Sequence, residues 1–552
     1  MLEPYVRPGI DDRPDYDKAL SKEDKSAVAR LAADPKRLPP EASADQPGVQ
    51  TARLAADGTA SVAAAAAVDT AVPDYASSFL DMRDPMVAAD GERPDAAQVT
   101  RLKWAFAAGS MLIAAPWAAL NLVAIPNQVA LAFGIDTKAA LAGIVSGASS
   151  VSGASGPAAV SAASVSAIHL APALASIVCL GAIASVFFTP LVAALSDRTR
   201  VRFGRRTPYL VVGGVLSALL TLALGALQNV AGLIVFWVAL QFSYAMLVAP
   251  LASALSERVP DKFRDVIERW NAIGVIAGQA AGGVIGGLAI AFGAFNPFLC
   301  AAVLFAVAGF ATVLVWPREP SSEEQPHTPF SWTMALAAVR MPSGPESKPF
   351  RRLVWSRMFM MAAVGMTGAY LWYIVRFAVY GDDPKLTSAP MTLPAGMLVA
   401  LMALATFAGA LLATFSAGAI TDKLEEGFGA WWRDSRVAVM MACVLYVLGL
   451  LAGLAIVAVG GERSLMVFSF ITGFAFGLID VLVQPLVVAA LPDPRAAGRD
   501  LGVYAAAKPW GLAFGVVVGA VVVMLVPASL GYVALFPAAA VCVAVAAFLA
   551  RK

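Results

Sequence analysis

Asp480 and Lys508 stand where ionised groups are expensive. The first lies in FGLIDVLVQP and the second in AAAKPWG, each inside a long apolar run. A charge at the centre of a bilayer costs at least about 2.5 kcal/mol, so position alone makes each a candidate for function. The same short loop separates their two runs, and both sit at comparable depth from it, so neighbouring helices can bring them together. A paired Asp480 and Lys508 lessens the cost of burial. Protonating Asp480 then releases Lys508, a switch that responds to protons or to substrate. A static structural pair is the alternative. Arg376, beside Asp382 and Asp383 in a later loop, reads as an outer gate or an interface anchor.

A second set is neutral and polar: Asn121, Asn127 and Gln128, then Gln241 and Tyr244, then Asn271 and Gln279, then Tyr370, Trp372 and Tyr373. Amides hydrogen-bond hydroxyl groups, and aromatic faces stack on the C–H surfaces of sugars. Such residues also hold helices together without touching any solute. As a set they favour a neutral or weakly charged polar solute.

Other chemistry finds little material. Two histidines, His169 and His327, cannot assemble a nucleophile, base and acid set, so enzymatic activity has no support. No GxxxxGK[ST] is present to cradle ATP phosphates. Cys179, Cys300, Cys443 and Cys542 are far apart inside apolar runs, with no metal-ligand spacing. No cofactor, metal or nucleic-acid partner is therefore expected.

The elements that position these residues are legible in the hydropathy. The chain has 552 residues, 59% hydrophobic and only 14% charged, against roughly 25% charged in soluble domains. Residues 1–100 alternate Ala, Asp, Pro and Ser without apolar period and read as a disordered cytoplasmic arm. Twelve apolar runs then follow: 103–134, 167–195, 208–229, 231–256, 266–293, 297–316, 353–380, 393–420, 436–459, 464–490, 501–526 and 529–550. Each is long enough to span a hydrocarbon layer of about 30 Å. In lipid the backbone must satisfy its own hydrogen bonds, so the expected fold is an all-α membrane protein with twelve transmembrane helices.

Between the second and third runs stands SDRTRVRFGRRTP, with Arg198, Arg200, Arg202, Arg205 and Arg206. Short arginine-rich loops stay in the cytoplasm, which places this loop inside. Alternation puts Arg258, Lys262 and Arg264; Arg318, Arg351 and Arg352; Lys423, Arg433 and Arg436; and Arg495 and Arg499 inside too, with both termini. The opposite loops are nearly bare, and Ser146–Ser166 is a neutral Ser/Gly/Ala stretch read as flexible loop.

Two six-helix units repeat. Pro260-Asp261 with Arg264-Asp265 precedes span 5, and Pro492-Asp493 with Arg499-Asp500 precedes span 11. Ser196-Asp197-Arg198 ends span 2, and Thr421-Asp422-Lys423 ends span 8. The expected organisation is an N-terminal bundle at 101–316, a cytoplasmic linker at 317–352 and a C-terminal bundle at 353–552. Gly274, Gly278, Gly282 and Gly286 bare one face of span 5 for close contact or sliding, and Gly511, Gly515 and Gly519 echo them in span 11.

These motifs resemble the major facilitator superfamily across residues 103–552. Its loop 2–3 signature has its counterpart in Ser196-Asp197-Arg198 and Gly204-Arg205-Arg206, here with three extra residues between. The lengthened form is similar to the glycoside–cation symporter and sucrose-transporter branch. The resemblance implies alternating access of a central site and a cytoplasmic gate formed by Asp197, Arg198, Gly204, Arg205 and Arg206, with Asp422 and Lys423 as counterparts. Asp197 would then pair across the cytoplasmic face as a latch. The expected function is secondary transport of a sugar, glycoside or similar metabolite, coupled to protons or Na+ through Asp480. Proton-driven efflux of amphiphilic compounds remains open, and so does an assembly factor docking a cytoplasmic partner through its arm. An Ala-rich, Arg-over-Lys composition points to a bacterial inner (plasma) membrane.

Overall fold

The computed structural model describes residues 88, 93–133, 157–293, 295–319, 321–323, 330, 332, 339–380, 392–428, 435–492, 497–527 and 530–551. The arm before Ala88, the Asp382–Asp383 pair, Arg433, Asp493, Arg495 and His327 lie outside the described residues. The described residues form helices: α1 (Ala96–Ala132), α2 (Pro157–Ser196), α3 (Thr207–Ala226), α4 (Val230–Arg258), α5 (Asp261–Phe292) and α6 (Pro297–Val315). The second group is α7 (Lys348–Ala369 with Leu371–Val379), α8 (Thr392–Phe428), α9 (Ser435–Leu454), α10 (Gly461–Ala489), α11 (Ala497–Leu525) and α12 (Leu535–Arg551). Eleven are long and apolar enough to cross a bilayer singly, and α7, bent by 44°, supplies the twelfth. Part of the stretch read as a flexible loop is helical, because α2 already begins at Pro157.

Local chemistry sets the ends. Asp95 and Gln98 form a reciprocal capping box at the start of α1, and Asn229 and Asn296 cap α4 and α6. Gly293 closes α5 in the left-handed conformation, with φ 61°. The first helix of each half is broken near its outer end. A π-helical turn at Leu120–Ala124 interrupts α1, and another at Ile374–Val379 ends α7. Such turns widen the backbone ring and are common at functional sites.

The packing repeats under a shift of six helices. α1 packs on α5 and α6, α3 on α4 and α6, and α2 on α4. In the second half α7 packs on α11 and α12, α9 on α10 and α12, and α8 on α10. Between the halves, α5 meets α8 and α11 meets α2, the same pair with the halves exchanged. The glycine stripe explains the tightest contact. A methyl at Gly274, Gly278 or Gly282 would collide with the carbonyl oxygens of Ala107, Met111 and Ala115 on α1, while Gly286 faces Ala119. Gly511 and Gly515 bring α11 equally close to Met358 and Ala362 on α7. In lipid no hydrophobic gain drives helices together, so this backbone approach supplies van der Waals contact instead.

Gly278→Val should therefore cost about 1–3 kcal/mol through overpacking. Gly418→Ala, where a Cβ meets nothing within 4 Å, should be near neutral. Thermal unfolding of the purified variants in detergent separates the two.

Candidate functional site

The arginine loop after α2 folds into a charge lock on its own bundle. Arg206 is 1% exposed and lies 3.8 Å from Asp197. Both Arg205 and Arg206 form ion pairs with Glu257 at the end of α4. Gly204 adopts φ 86°, and any Cβ there would strike the Glu319 carboxylate. Glu319, on the linker, accepts hydrogen bonds from the Arg206 and Thr207 backbone N–H groups and from the Thr207 hydroxyl at 3.1 Å. It is thus an acidic cap on the N-terminus of α3, where exposed N–H groups and the helix dipole favour an anion. Ser322 accepts from the Val201 N–H at 3.1 Å. Arg198 donates to the Ala194 carbonyl at 2.7 Å and lies over the Phe330 ring. Asp422 and Lys423 are exposed at the matching end of α8, and no ion pair links them to this lock among the described residues. In this state Asp197 pairs within its bundle rather than across the face.

Tyrosines close the opposite face. The Tyr370 hydroxyl donates its one proton to the Val516 carbonyl of α11 at 2.7 Å, shared with the Ala171 carbonyl of α2 at 3.2 Å. Tyr373 donates to the Pro126 carbonyl of α1 at 2.9 Å. Tyr370, Tyr373, Phe377 and Tyr532 stack into one aromatic plug with centroids 5.5–6.5 Å apart. Nearby, Gly287 of α5 abuts Gly396 and Ala400 of α8. Residues read as solute-stacking aromatics thus have their hydroxyls committed to backbone carbonyls at the face opposite the arginine loop. Trp372 is fully buried beside them.

The neutral set is dispersed. Asn121 donates to the Trp117 carbonyl beside the π-turn of α1, Gln128 donates to the Leu227 carbonyl, and Ser110 bonds Asn271. Gln241 is buried against Gly181, while Asn127 is half-buried and Gln279 exposed. Tyr244 stacks on Trp117 at 4.0 Å, and Trp117 stacks on Trp237 at 5.1 Å. This ring stack between α1 and α4 includes two tryptophans that sequence reasoning passed over.

The charged pair gains partners. Asp480 and Lys508 form no ion pair within 4.0 Å among the described residues. Arg357 of α7 stands close enough to both to interact electrostatically. Its guanidinium lies 4.4 Å from the Tyr504 ring centroid, and Arg357, Asp480 and Tyr504 line one cavity with Met360, Met361 and Phe476. Arg376 is buried on the π-turn of α7 over Phe377. Arg357, Glu257 and Glu319 were not singled out in the sequence. The signal for Arg357 was its place in WSRMFM, inside an apolar run.

The sequence profile of the Major Facilitator Superfamily matches residues 106–460. The chain belongs to that superfamily and is a secondary transporter by family, not an enzyme. Among solved structures it is similar to a mutant form of the nucleoside transporter NupG, at 16% identity and TM-score 0.56, covering 81% of this chain and 98% of that one. The unmutated NupG gives 15% identity and TM-score 0.54, over 81% and 97% of the two chains. At such identity the likeness establishes the shared fold. No curated protein matches the sequence.

Two outcomes follow for the closures. Burial pushes the Asp197 carboxyl up to about 6, with Arg206 opposing and Glu257 reinforcing the shift. The native chain therefore holds a proton between that value and the ordinary 3.8, where the unfolded chain has lost it. This contribution to stability is present at low pH and lost as pH rises through about 6. Asp197→Asn should accordingly melt a few degrees above wild type at pH 7.5, with the gap narrowing below about 6 and closing towards 3.8. A variant that melts lower at pH 7.5 would instead make the Asp197–Arg206 attraction dominant. At the other face, Tyr373→Phe removes one buried hydrogen bond worth about 1 kcal/mol, or about fivefold in the closed-to-open ratio. Spin-label distances between the outer ends of α1 and α7 would read that shift.

Proposed function

We propose that this chain moves a small polar solute, a sugar, glycoside or similar metabolite, across the membrane by alternating access, with protons as the coupling ion. The observation that carries the coupling is Asp480. It is the deepest carboxylate in any helix among the described residues, and it lies within electrostatic reach of Lys508. A carboxylate so placed is the group whose charge a coupled proton would change, and Lys508 lies within reach of that charge. The Trp117–Tyr244 ring stack and the buried amides support a hydroxyl-rich solute, as does the motif resemblance to glycoside–cation symporters.

Two closures alternate in this reading. The tyrosine plug holds the outer face shut now, and the arginine loop, held in this state by Glu257 and Glu319 of its own half, latches the cytoplasmic face when the halves rock the other way. Asp197, Arg198 and Arg206, with Asp422 and Lys423 of the other bundle, form that latch. Internal repeats that rock about a site at their interface give such alternation directly. Efflux of amphiphilic compounds keeps support from a mainly apolar groove of about 810 Å³ at the outer end of α5, α8 and α10, lined by Phe292, Met397, Leu401 and Met466.

Liposomes carrying a pH-sensitive dye test the reading. A polar solute added outside should move protons inward with wild type and not with Asp480→Asn, while solute exchange without a proton gradient survives in the variant. Proton movement that persists unchanged in Asp480→Asn would remove Asp480 from coupling. Outward-directed exchange of a lipophilic cation for protons would favour efflux.

A further inference from the structure

Three charges lie on the basic side of the C-terminal bundle, inside α7, α10 and α11. Arg357 lies nine residues beyond Lys348 at the start of α7, Asp480 nine before Ala489 at the end of α10, and Lys508 nine beyond Arg499 in α11. At 1.5 Å per residue each is about 14 Å from the end of its own helix, and Arg357, five residues beyond Arg352, is the nearest of the three to the basic face. The cluster holds two cations and one carboxylate. No ion pair joins either cation to Asp480 among the described residues. Arg357 Nε is buried without a hydrogen-bond partner. Lys508 is exposed one helical turn beyond Tyr504, whose ring lies 4.4 Å from the Arg357 guanidinium.

An unneutralised positive charge in a low-dielectric site is costly and invites an anion. Of the two common anionic groups, a carboxylate brings one negative charge and leaves the cluster neutral. A phosphate monoester brings about −1.5 to −2 and overshoots. A guanidinium fork beside an ammonium is also the donor set that grips a carboxylate. Arg357 and Asp480 line a cavity of about 30 Å³ walled by Met360, Met361, Phe476, Ile479 and Val483, room for a carboxylate group alone, and Lys508 stands outside that lining on the exposed side.

We propose that Arg357 and Lys508 form a subsite for the carboxylate of a monoanionic solute, with Tyr504 steadying the guanidinium. The proposal rests on the transport reading above and deepens it by fixing the charge of the solute. Asp480 then has a second duty: while ionised it balances one of the two cations in the empty site.

The full-length protein in detergent can be tested by thermal shift with matched probes: glucose and gluconate, glycerol and glycerate, benzyl alcohol and benzoate, and glucose 6-phosphate as the dianion. The expected result is stabilisation by an acid and not by its paired alcohol, weakened at least tenfold in concentration dependence by Arg357→Gln or Lys508→Gln. Lys508→Arg should retain the acid preference, which separates lost charge from lost fold. Alcohols acting as well as acids, glucose 6-phosphate acting better, no acid acting at all, or an acid effect unchanged in both Gln variants would each overturn the subsite. Uptake into liposomes keeps the two readings apart. Movement of alcohols alone ends the charge assignment and leaves the transport reading standing. Movement of neither class under any gradient ends both.

Discussion

The close approach of α5 to α1, repeated by α11 on α7, is the contact on which the rest of the molecule depends. Lipid tails are as apolar as leucine, so helices in a bilayer gain nothing by hiding side chains from their solvent. Gly274, Gly278 and Gly282 remove the side chains altogether and let one backbone lie on the carbonyl oxygens of another. Each half becomes a stiff unit by this means. The faces of α5 and α11 not used inside their own bundles are left to meet α8 and α2 across the middle. A protein that must rock needs this division between contacts that hold and contacts that yield.

The yielding contacts differ in kind at the two faces. On one side tyrosine hydroxyls reach across to backbone carbonyls, bonds that need no charge and can be remade by small rotations. On the other, arginines and acids are gathered into one bundle, where Glu257 and Glu319 neutralise guanidinium groups and an exposed helix end. The tyrosine contacts cross between the bundles without charge, whereas the arginine contacts lie within one bundle and are weakened by salt.

Much of this was legible in the residues. Twelve apolar runs gave twelve helices because a bilayer leaves the peptide group no other solution. The glycines of α5, spaced by four, announced a bare helix face, and the loop motifs before α5 and α11 announced the repeat. What stayed hidden were pairings between distant segments. Glu257 meets Arg205 from 52 residues away and Glu319 meets Thr207 from 112, and nothing local marks either acid for its partner. Arg357 was concealed differently, because it follows Arg351 and Arg352 and reads as part of the basic loop end. Tyr370 and Tyr373 were recognised as special, but aromatic type alone does not say whether a hydroxyl faces a solute or a neighbouring carbonyl.

The acidic cap contributed by Glu319 also changes where the join between the halves begins. Counted along the chain, the connection starts at Trp316, where α6 ends. Counted mechanically, it starts later, because Glu319 and Ser322 are fastened to the arginine loop and Phe330 lies against the Arg198 guanidinium. Lengthening the chain between α6 and Ser322 disturbs the charge lock itself, although it leaves every transmembrane helix intact. One covalent strand thus carries two separate duties, clasp for the loop and leash between the bundles.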